Sequence, residues 1–221
     1  MILNLKDYNF CLHKINNFKK EIIINMKKNE EKVLKILLVG DVGVGKTSLM
    51  IRFTENKFDD NCATTIGVDS KNKTLNFNSV NYIIKVIDTA GQERYQTITK
   101  SYFHIVEGIF IVFDITDDES FKSLEKWIEI IKEVVEEPNI IILANKCDLL
   151  IDAKVEDDEI NDFSFRNQIK IIKISVKENI NIKEAFYDMI NLINVNPAIQ
   201  RDTCILNKEK HRNSEKKEHC C

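Results

Sequence analysis

Between Gly40 and Thr47 the chain reads Gly-Asp-Val-Gly-Val-Gly-Lys-Thr, a G-x-x-x-x-G-K-[ST] spacing. Those residue types suit the holding of a polyphosphate. Glycines let the backbone turn tightly, so that N–H groups from Asp41, Val42, Gly43, Val44 and Gly45 converge on an anion at a helix N-terminus, with Ser48 closing the run. The Lys46 ammonium would reach the β- and γ-phosphates, and the Thr47 hydroxyl would ligate Mg²⁺. A dinucleotide fingerprint is excluded, because the glycines do not follow G-x-G-x-x-G.

Four further clusters follow in order. Thr64-Thr65-Ile66-Gly67 lies in a polar loop, where the Thr65 hydroxyl could complete a Mg²⁺ shell only while a γ-phosphate is present. Asp88-Thr89-Ala90-Gly91-Gln92-Glu93 follows an apolar run. There Asp88 can hold Mg²⁺ through water, Gly91 can offer its N–H to a γ-phosphate, and Gln92 can orient an attacking water. Asn145-Lys146-Cys147-Asp148 ends another apolar run. The Asp148 carboxylate can accept both the N1 and N2 hydrogens of guanine, a donor pair that adenine lacks, and the Lys146 stem can lie across the base. In Ser175-Val176-Lys177 a backbone N–H can meet guanine O6. Taken singly, Asp88 and Asp148 could be ordinary strand-end turn residues. As an ordered set behind a phosphate loop they point to a guanine nucleotide. A kinase acting on a small metabolite would lack the Asn145 to Asp148 cluster.

Positioning these groups requires a parallel α/β sheet, and the pattern from Val33 onward supplies one. Strands are predicted over 33–39, 69–77, 82–87, 108–114, 139–145 and 170–175, with helices over 46–53, 94–106, 119–135, 157–167 and 182–194. Asn78-Ser79 reads as the tight turn of an antiparallel hairpin joining the second and third strands. On the third helix Phe121, Leu124, Trp127, Ile128, Ile131 and Val134 share a face, Trp127 reads as core, and Ser120 or Asp118 can cap the start.

The 221 residues suit one domain plus tails: an extension over 1–32, a domain over 33–195 and a flexible tail over 196–221. The extension reads as disordered, or as a gene-model artefact if translation starts at Met26, in preference to a functional arm. A hydrophobic fraction of 43% permits a core, and a net charge of −3 gives no electrostatic case for nucleic acid. The six cysteines are scattered apart from the terminal Cys220-Cys221 pair, which argues for a reducing compartment over a disulfide framework.

These motifs together resemble the Ras superfamily of small GTPases, from Lys35 to about Asn194. Thr65-Ile66-Gly67-Val68-Asp69, Asp88 to Tyr95, Ser101-Tyr102-Phe103 and the two terminal cysteines look most like the Rab branch. The Arg52-Phe53-Thr54-Glu55 and Ala63-Thr64-Thr65 stretches are similar to a Rab subgroup linked to endoplasmic reticulum and lipid droplets. The resemblance implies a three-layer α/β sandwich with a six-stranded, mostly parallel sheet, one antiparallel strand and five helices. It implies a monomeric GTP-hydrolysing switch of vesicle traffic that uses GTP, GDP and Mg²⁺. Phe58 would pack edge-on against guanine, Gln92 and Lys46 would serve catalysis, and Cys220 and Cys221 would carry geranylgeranyl groups that tether the protein to the cytosolic face of a membrane. Implied partners are an exchange factor, a GTPase-activating protein, effectors, a GDP-dissociation inhibitor or escort protein, and a geranylgeranyl transferase. Val42 departs from the small or polar residue common there. Ser70 and Ile87 replace two members of the effector-facing aromatic triad and leave only Tyr102. Val176 replaces an alanine.

Overall fold

The computed structural model describes residues 31–59, 67–89 and 96–196, with the side chains of 96–99 left aside. Six strands form one sheet: β1 (Glu31–Val39), β2 (Val68–Phe77), β3 (Val80–Thr89), β4 (Gly108–Asp114), β5 (Ile140–Asn145) and β6 (Ile171–Lys173). Their order is β2-β3-β1-β4-β5-β6. Among the strands of the described residues, only the β2/β3 pair is antiparallel. It is joined by Asn78 and Ser79, both with positive φ (49° and 65°), the conformation a two-residue hairpin demands.

Five helices cover the sheet: α1 (Lys46–Glu55), α2 (Gln96–Phe103), α3 (Asp118–Lys132), α4 (Asp157–Asn167) and α5 (Ile182–Val195). Side-chain alternation along β1 separates two cores. Leu34, Ile36 and Leu38 join Leu49, Met50 and Phe53 of α1 and Ala185, Phe186 and Met189 of α5 on one face. Leu37 and Val39 join Phe103, Leu124, Trp127 and Phe163 from α2, α3 and α4 on the other. Every residue of β4 and β5 is buried, as expected of parallel strands covered on both faces. Phe186 is the hinge of the first core, stacked on Phe53 with centroids 3.5 Å apart and edge-on to Phe110 at 5.1 Å. This is the parallel α/β sheet that the sequence pattern predicts and the three-layer sandwich that the resemblance implies.

Several element bounds shift by two or three residues from the predicted ones, the third helix ending at Lys132 and not at 135, and three differences have a visible cause. The cap of α3 is Asp117, whose carboxylate accepts from Glu119 N, and neither Asp118 nor Ser120 takes that role. Ser120 is buried and instead donates its hydroxyl to the Asp117 carbonyl while accepting from Asp114 N, so it ties the helix to the end of β4. Helix α2 stops at Phe103, where Ile105 N turns back to Tyr102 O at 3.0 Å, three residues before the predicted end. Strand β6 stops at Lys173, because Ser175 leaves the ladder to bridge with Ile180.

In the sheet β1 lies between β3 on one side and β4 on the other, and the connections leave it in opposite directions, which opens a crevice beyond its C-terminal end. The residues with predicted chemistry gather there.

Candidate functional site

Three glycines shape the loop between β1 and α1. Gly40 has φ 134°, and a Cβ on it would lie 2.2 Å from the Val112 carbonyl oxygen of β4. Gly43 has φ 82° with open space around it, and Gly45 has φ 99° with the Asn145 amide nitrogen 2.5 Å from where a Cβ would stand. All three conformations disfavour an L side chain. Gly45 is also the N-cap of α1 and, as a glycine, makes no side-chain cap bond there, so the helix N-terminus is presented to the loop, the usual seat of an anion.

Lys46 opens the helix with its side chain folded back into the loop. Nζ donates to the carbonyl oxygens of Gly40 at 2.8 Å and Asp41 at 2.5 Å. The residue is only 5% exposed, and burial pulls the ammonium down to about 8 against the partial support of Asp88 and Asp41. Beside it the Thr47 hydroxyl donates to Asp88 Oδ2 at 2.6 Å. Asp88 is fully buried at the end of β3. A hydroxyl and a carboxylate on adjoining elements form the hard-oxygen donor set that suits Mg²⁺, an ion that takes one or two protein ligands and completes its shell with phosphate and water.

The base-side residues sit at the ends of β5 and β6. Asn145 is buried and reaches both ways, its Nδ2 donating to Val44 O at 2.8 Å and its Oδ1 accepting from Val176 N at 3.2 Å. It therefore braces the phosphate loop against the base loop. Ser175 is buried and donates its hydroxyl to Asp148 Oδ1 at 2.5 Å while accepting from Glu178 N at 2.9 Å, which orients the carboxylate predicted to read the base. Lys146 adopts φ 64°, and its ammonium lies 2.5 Å from Asp114 Oδ2. Val176 is buried, and Phe58 is half-buried with the Arg52 guanidinium 5.6 Å from its ring centroid. Val42 is 48% exposed on the outside of the phosphate loop, Ser48 is half-buried on α1, and Lys177 is exposed.

The predicted residues from Asp41 to Ser48, together with Phe58, Asp88, Asn145, Lys146, Asp148, Ser175, Val176 and Lys177, thus line one end of the sheet. Thr65, Gly91, Gln92, Cys220 and Cys221 lie outside the described residues, as do the N-terminal extension and the tail beyond 196. Three participants were not anticipated. The indole N–H of Trp127, read as plain core, donates to Asp41 Oδ1 at 3.0 Å. The buried Asp114 holds Lys146. Arg52 donates through Nε and Nη2 to the carbonyls of Val176 and Lys177, both at 2.8 Å. The polar position of Asp114, at the end of the otherwise apolar β4 run, was the one available signal.

A glycine loop feeding α1 in a doubly covered, mostly parallel sheet, with a buried lysine and a threonine–aspartate pair at its mouth, defines the P-loop nucleoside triphosphatase architecture. The Ras family model matches residues 35–195. The chain is 39% identical to Ras-related protein Rab-13 of Rattus norvegicus over 162 residues, which cover 73% of this chain and 80% of that protein. It is 36% identical to Ras-related protein SEC4 of Candida albicans over 162 residues, 73% of this chain and 77% of that protein. It is also 36% identical to Ras-related protein Rab-1D of Dictyostelium discoideum over 204 residues, 89% of this chain and 100% of that protein. The chain belongs to the Ras family as a Rab-type small GTPase, an enzyme that binds GTP and GDP and hydrolyses the first to the second.

The state of Lys46 makes the site pH-dependent. Its value is lowered within the fold, so the unfolded chain binds more protons between pH 8 and the ordinary lysine value of 10.5. Burial of the charge thus weakens the protein alone below pH 8, and that penalty is relieved as pH rises through the window. A phosphate brought against Nζ reverses the balance by supplying counter-charge. GDP binding is expected to take up a proton above pH 8, with affinity falling toward about tenfold per pH unit. Calorimetry in buffers of differing ionisation enthalpy measures this directly, and a flat profile through pH 9.5 would contradict it.

Proposed function

We propose that this GTPase is a membrane-tethered switch of vesicle traffic whose GTP-bound state is recognised by effectors. The observation that carries the guanine reading is the Asp148 carboxylate beyond the end of β5, held by the Ser175 hydroxyl at 2.5 Å. Asp148, oriented by Ser175, would accept from guanine N1 and N2, and a further backbone N–H of the 175–177 loop would face O6, since Val176 N–H is given to Asn145 Oδ1. Lys146 would lie along one side of the base, and Phe58 would meet its edge. Lys46 would neutralise the β- and γ-phosphates, while Thr47 and Asp88, with Thr65, would hold Mg²⁺. That ion, when bound, offsets the negative charge shared by the β- and γ-phosphate oxygens. Gln92 would orient the attacking water, and Gly91 with Thr65 would make loop order depend on the γ-phosphate.

The distal features belong to the same reading. No helix among the described residues is long and apolar enough to cross a membrane. The tether would be Cys220 and Cys221, doubly geranylgeranylated at the end of the 196–221 segment by a geranylgeranyl transferase. As a coil, a segment of about 25 residues would reach roughly 25 to 30 Å. Two lipid chains give attachment that a GDP-dissociation inhibitor or escort protein could reverse at the cytosolic face. An exchange factor and a GTPase-activating protein would time the cycle. The polar extension before residue 33 needs no part in the switch. Expressing a tagged protein with both cysteines changed to serine tests the tether: the protein should become soluble, and retained membrane association would defeat the proposal.

Exposure of Val42 supports a second reading, a GTP-binding interaction module with little turnover. A branched side chain on the outer face of the phosphate loop stands where an activating protein must approach. Arginine assistance from such a partner contributes about 10³ to 10⁵ in rate, or about 4 to 7 kcal/mol of barrier. Single-turnover hydrolysis with and without a Rab-activating domain separates the two. Val42→Gly is expected to gain stimulated rate over the native protein, and full acceleration of the native protein would remove Val42 as a brake. Competition of GDP against ADP tests the guanine site itself.

A further inference from the structure

Arg52 occupies a junction that neither the phosphate chemistry nor the base contacts explain. It lies in the last turn of α1, the helix that opens with Lys46 and Thr47. Its guanidinium forks to two successive carbonyls of the base loop, Nε to Val176 O and Nη2 to Lys177 O, both at 2.8 Å. Nη1 donates to Asn56 O at 3.3 Å, and the same group lies 5.6 Å from the Phe58 ring centroid. Asn56 caps α1 in a left-handed conformation, with its own side chain accepting from Asn179 Nδ2 at 3.4 Å. One planar cation therefore contacts the end of α1, the segment that presents Phe58, and the loop that presents Val176.

The opposite side of that loop is held by Asn145 Oδ1 through Val176 N. The peptide units at 176 and 177 are thus gripped from within by Asn145 and from outside by Arg52. Planar, fixed donors suit this task. A guanidinium can satisfy two neighbouring carbonyls and lie against an aromatic ring together, whereas an ammonium acts as a point charge with no fork. The α1 helix carries the geometry onward. From Lys46 at the phosphate end to Arg52 near the base end this helix rises about 9 Å as a rigid rod.

We infer that Arg52 is a positioning residue that locks the base-reading loop and Phe58 to the helix bearing the phosphate ligands, and thereby sets how long the nucleotide stays bound. The inference rests on the guanine-site reading above. Dissociation requires the base to leave the cleft formed by Val176, Lys146 and Phe58, and Arg52 restrains two of those three walls. It touches no reacting atom, so its effect falls on residence time and not on the chemical step.

The test uses the full chain loaded with fluorescent GDP in Mg²⁺ buffer, comparing native protein with Arg52→Ala and Arg52→Lys. Arg52→Ala should release GDP about tenfold faster or more, and Arg52→Lys should recover only a minor part of that loss. Single-turnover hydrolysis of bound GTP should change by less than about twofold in the same variants. An unchanged release rate overturns the inference, as does a release rate and a hydrolysis rate that worsen together with thermal stability, since both would reflect general loosening. Full recovery by lysine would also overturn it, because charge alone would then suffice. If Arg52→Ala does not fold, Arg52→Lys decides alone: faster release supports the fork and native-like release defeats it. Native protein that prefers ADP to GDP would instead remove the guanine-site reading on which the inference stands.

Discussion

Gly45→Ala is expected to lower GDP affinity by more than about 10²-fold while leaving the sheet folded. Two separate costs fall on this position. With φ at 99°, an L side chain is strained whatever the space around it, at about 1–2 kcal/mol. The new Cβ would also meet Asn145 Nδ2 at 2.5 Å, so the amide must move and its hydrogen bond to Val44 O is lost. Losing a partner at a buried carbonyl costs about 1–3 kcal/mol. Gly43→Ala separates the two terms, because Gly43 has φ 82° with nothing within 4 Å of its added Cβ. That variant should show strain alone and lose about tenfold in affinity. Titration calorimetry with GDP, backed by thermal melts, checks the order. Equal losses at both positions would mean that the contact with Asn145 contributes nothing.

That contact also marks how far the sequence could be read. The strand alternation of β1, the all-buried β4 and β5 and the Asn78-Ser79 hairpin were legible because they follow from short-range periodicity and turn chemistry. Lys46, Thr47, Asp88 and Asn145 were legible as motif members because phosphate and base chemistry restrict residue types at fixed offsets. Their mutual arrangement was harder to read. Asn145 was expected as part of a base-reading motif, yet its described bonds are to protein backbone on either side of the cleft.

The unread part consists of contacts distant in sequence. Trp127 looked like core from its helical spacing, and it is buried among core residues, but the indole edge meets Asp41 from 86 residues away. Arg52 reaches Val176 across 124 residues, and Asp114 reaches Lys146 from a neighbouring strand end. Such partners depend on which strands become neighbours, which periodicity within one segment does not encode. The α3 cap failed at closer range. Asp117, Asp118 and Ser120 are all competent cap types, and the choice was made by Ser120 turning inward to bond the end of β4.

Asn145→Ala should be the most damaging single substitution on the base side. The side chain is 2% exposed, and its removal strands two backbone groups at once, the Val44 carbonyl and the Val176 N–H. At about 1–3 kcal/mol for each buried group, the combined cost is about 2–6 kcal/mol, a loss of about 30-fold to about 10⁴-fold if it falls wholly on GDP binding. Asn145→Asp divides the effect. One carboxylate oxygen still accepts from Val176 N, but the other would face the Val44 carbonyl with no proton to offer. The aspartate variant should therefore keep its discrimination between GDP and inosine diphosphate, which retains N1–H but lacks the N2 amino group, while losing overall affinity through the phosphate loop. The double variant Gly45→Ala/Asn145→Ala sharpens the point. The alanine at 145 removes the amide that the new Cβ would strike, so the combined loss should fall short of the two single losses added together. Strict additivity would show that Gly45 and Asn145 act independently, and that the clash between the new Cβ and the amide contributes nothing.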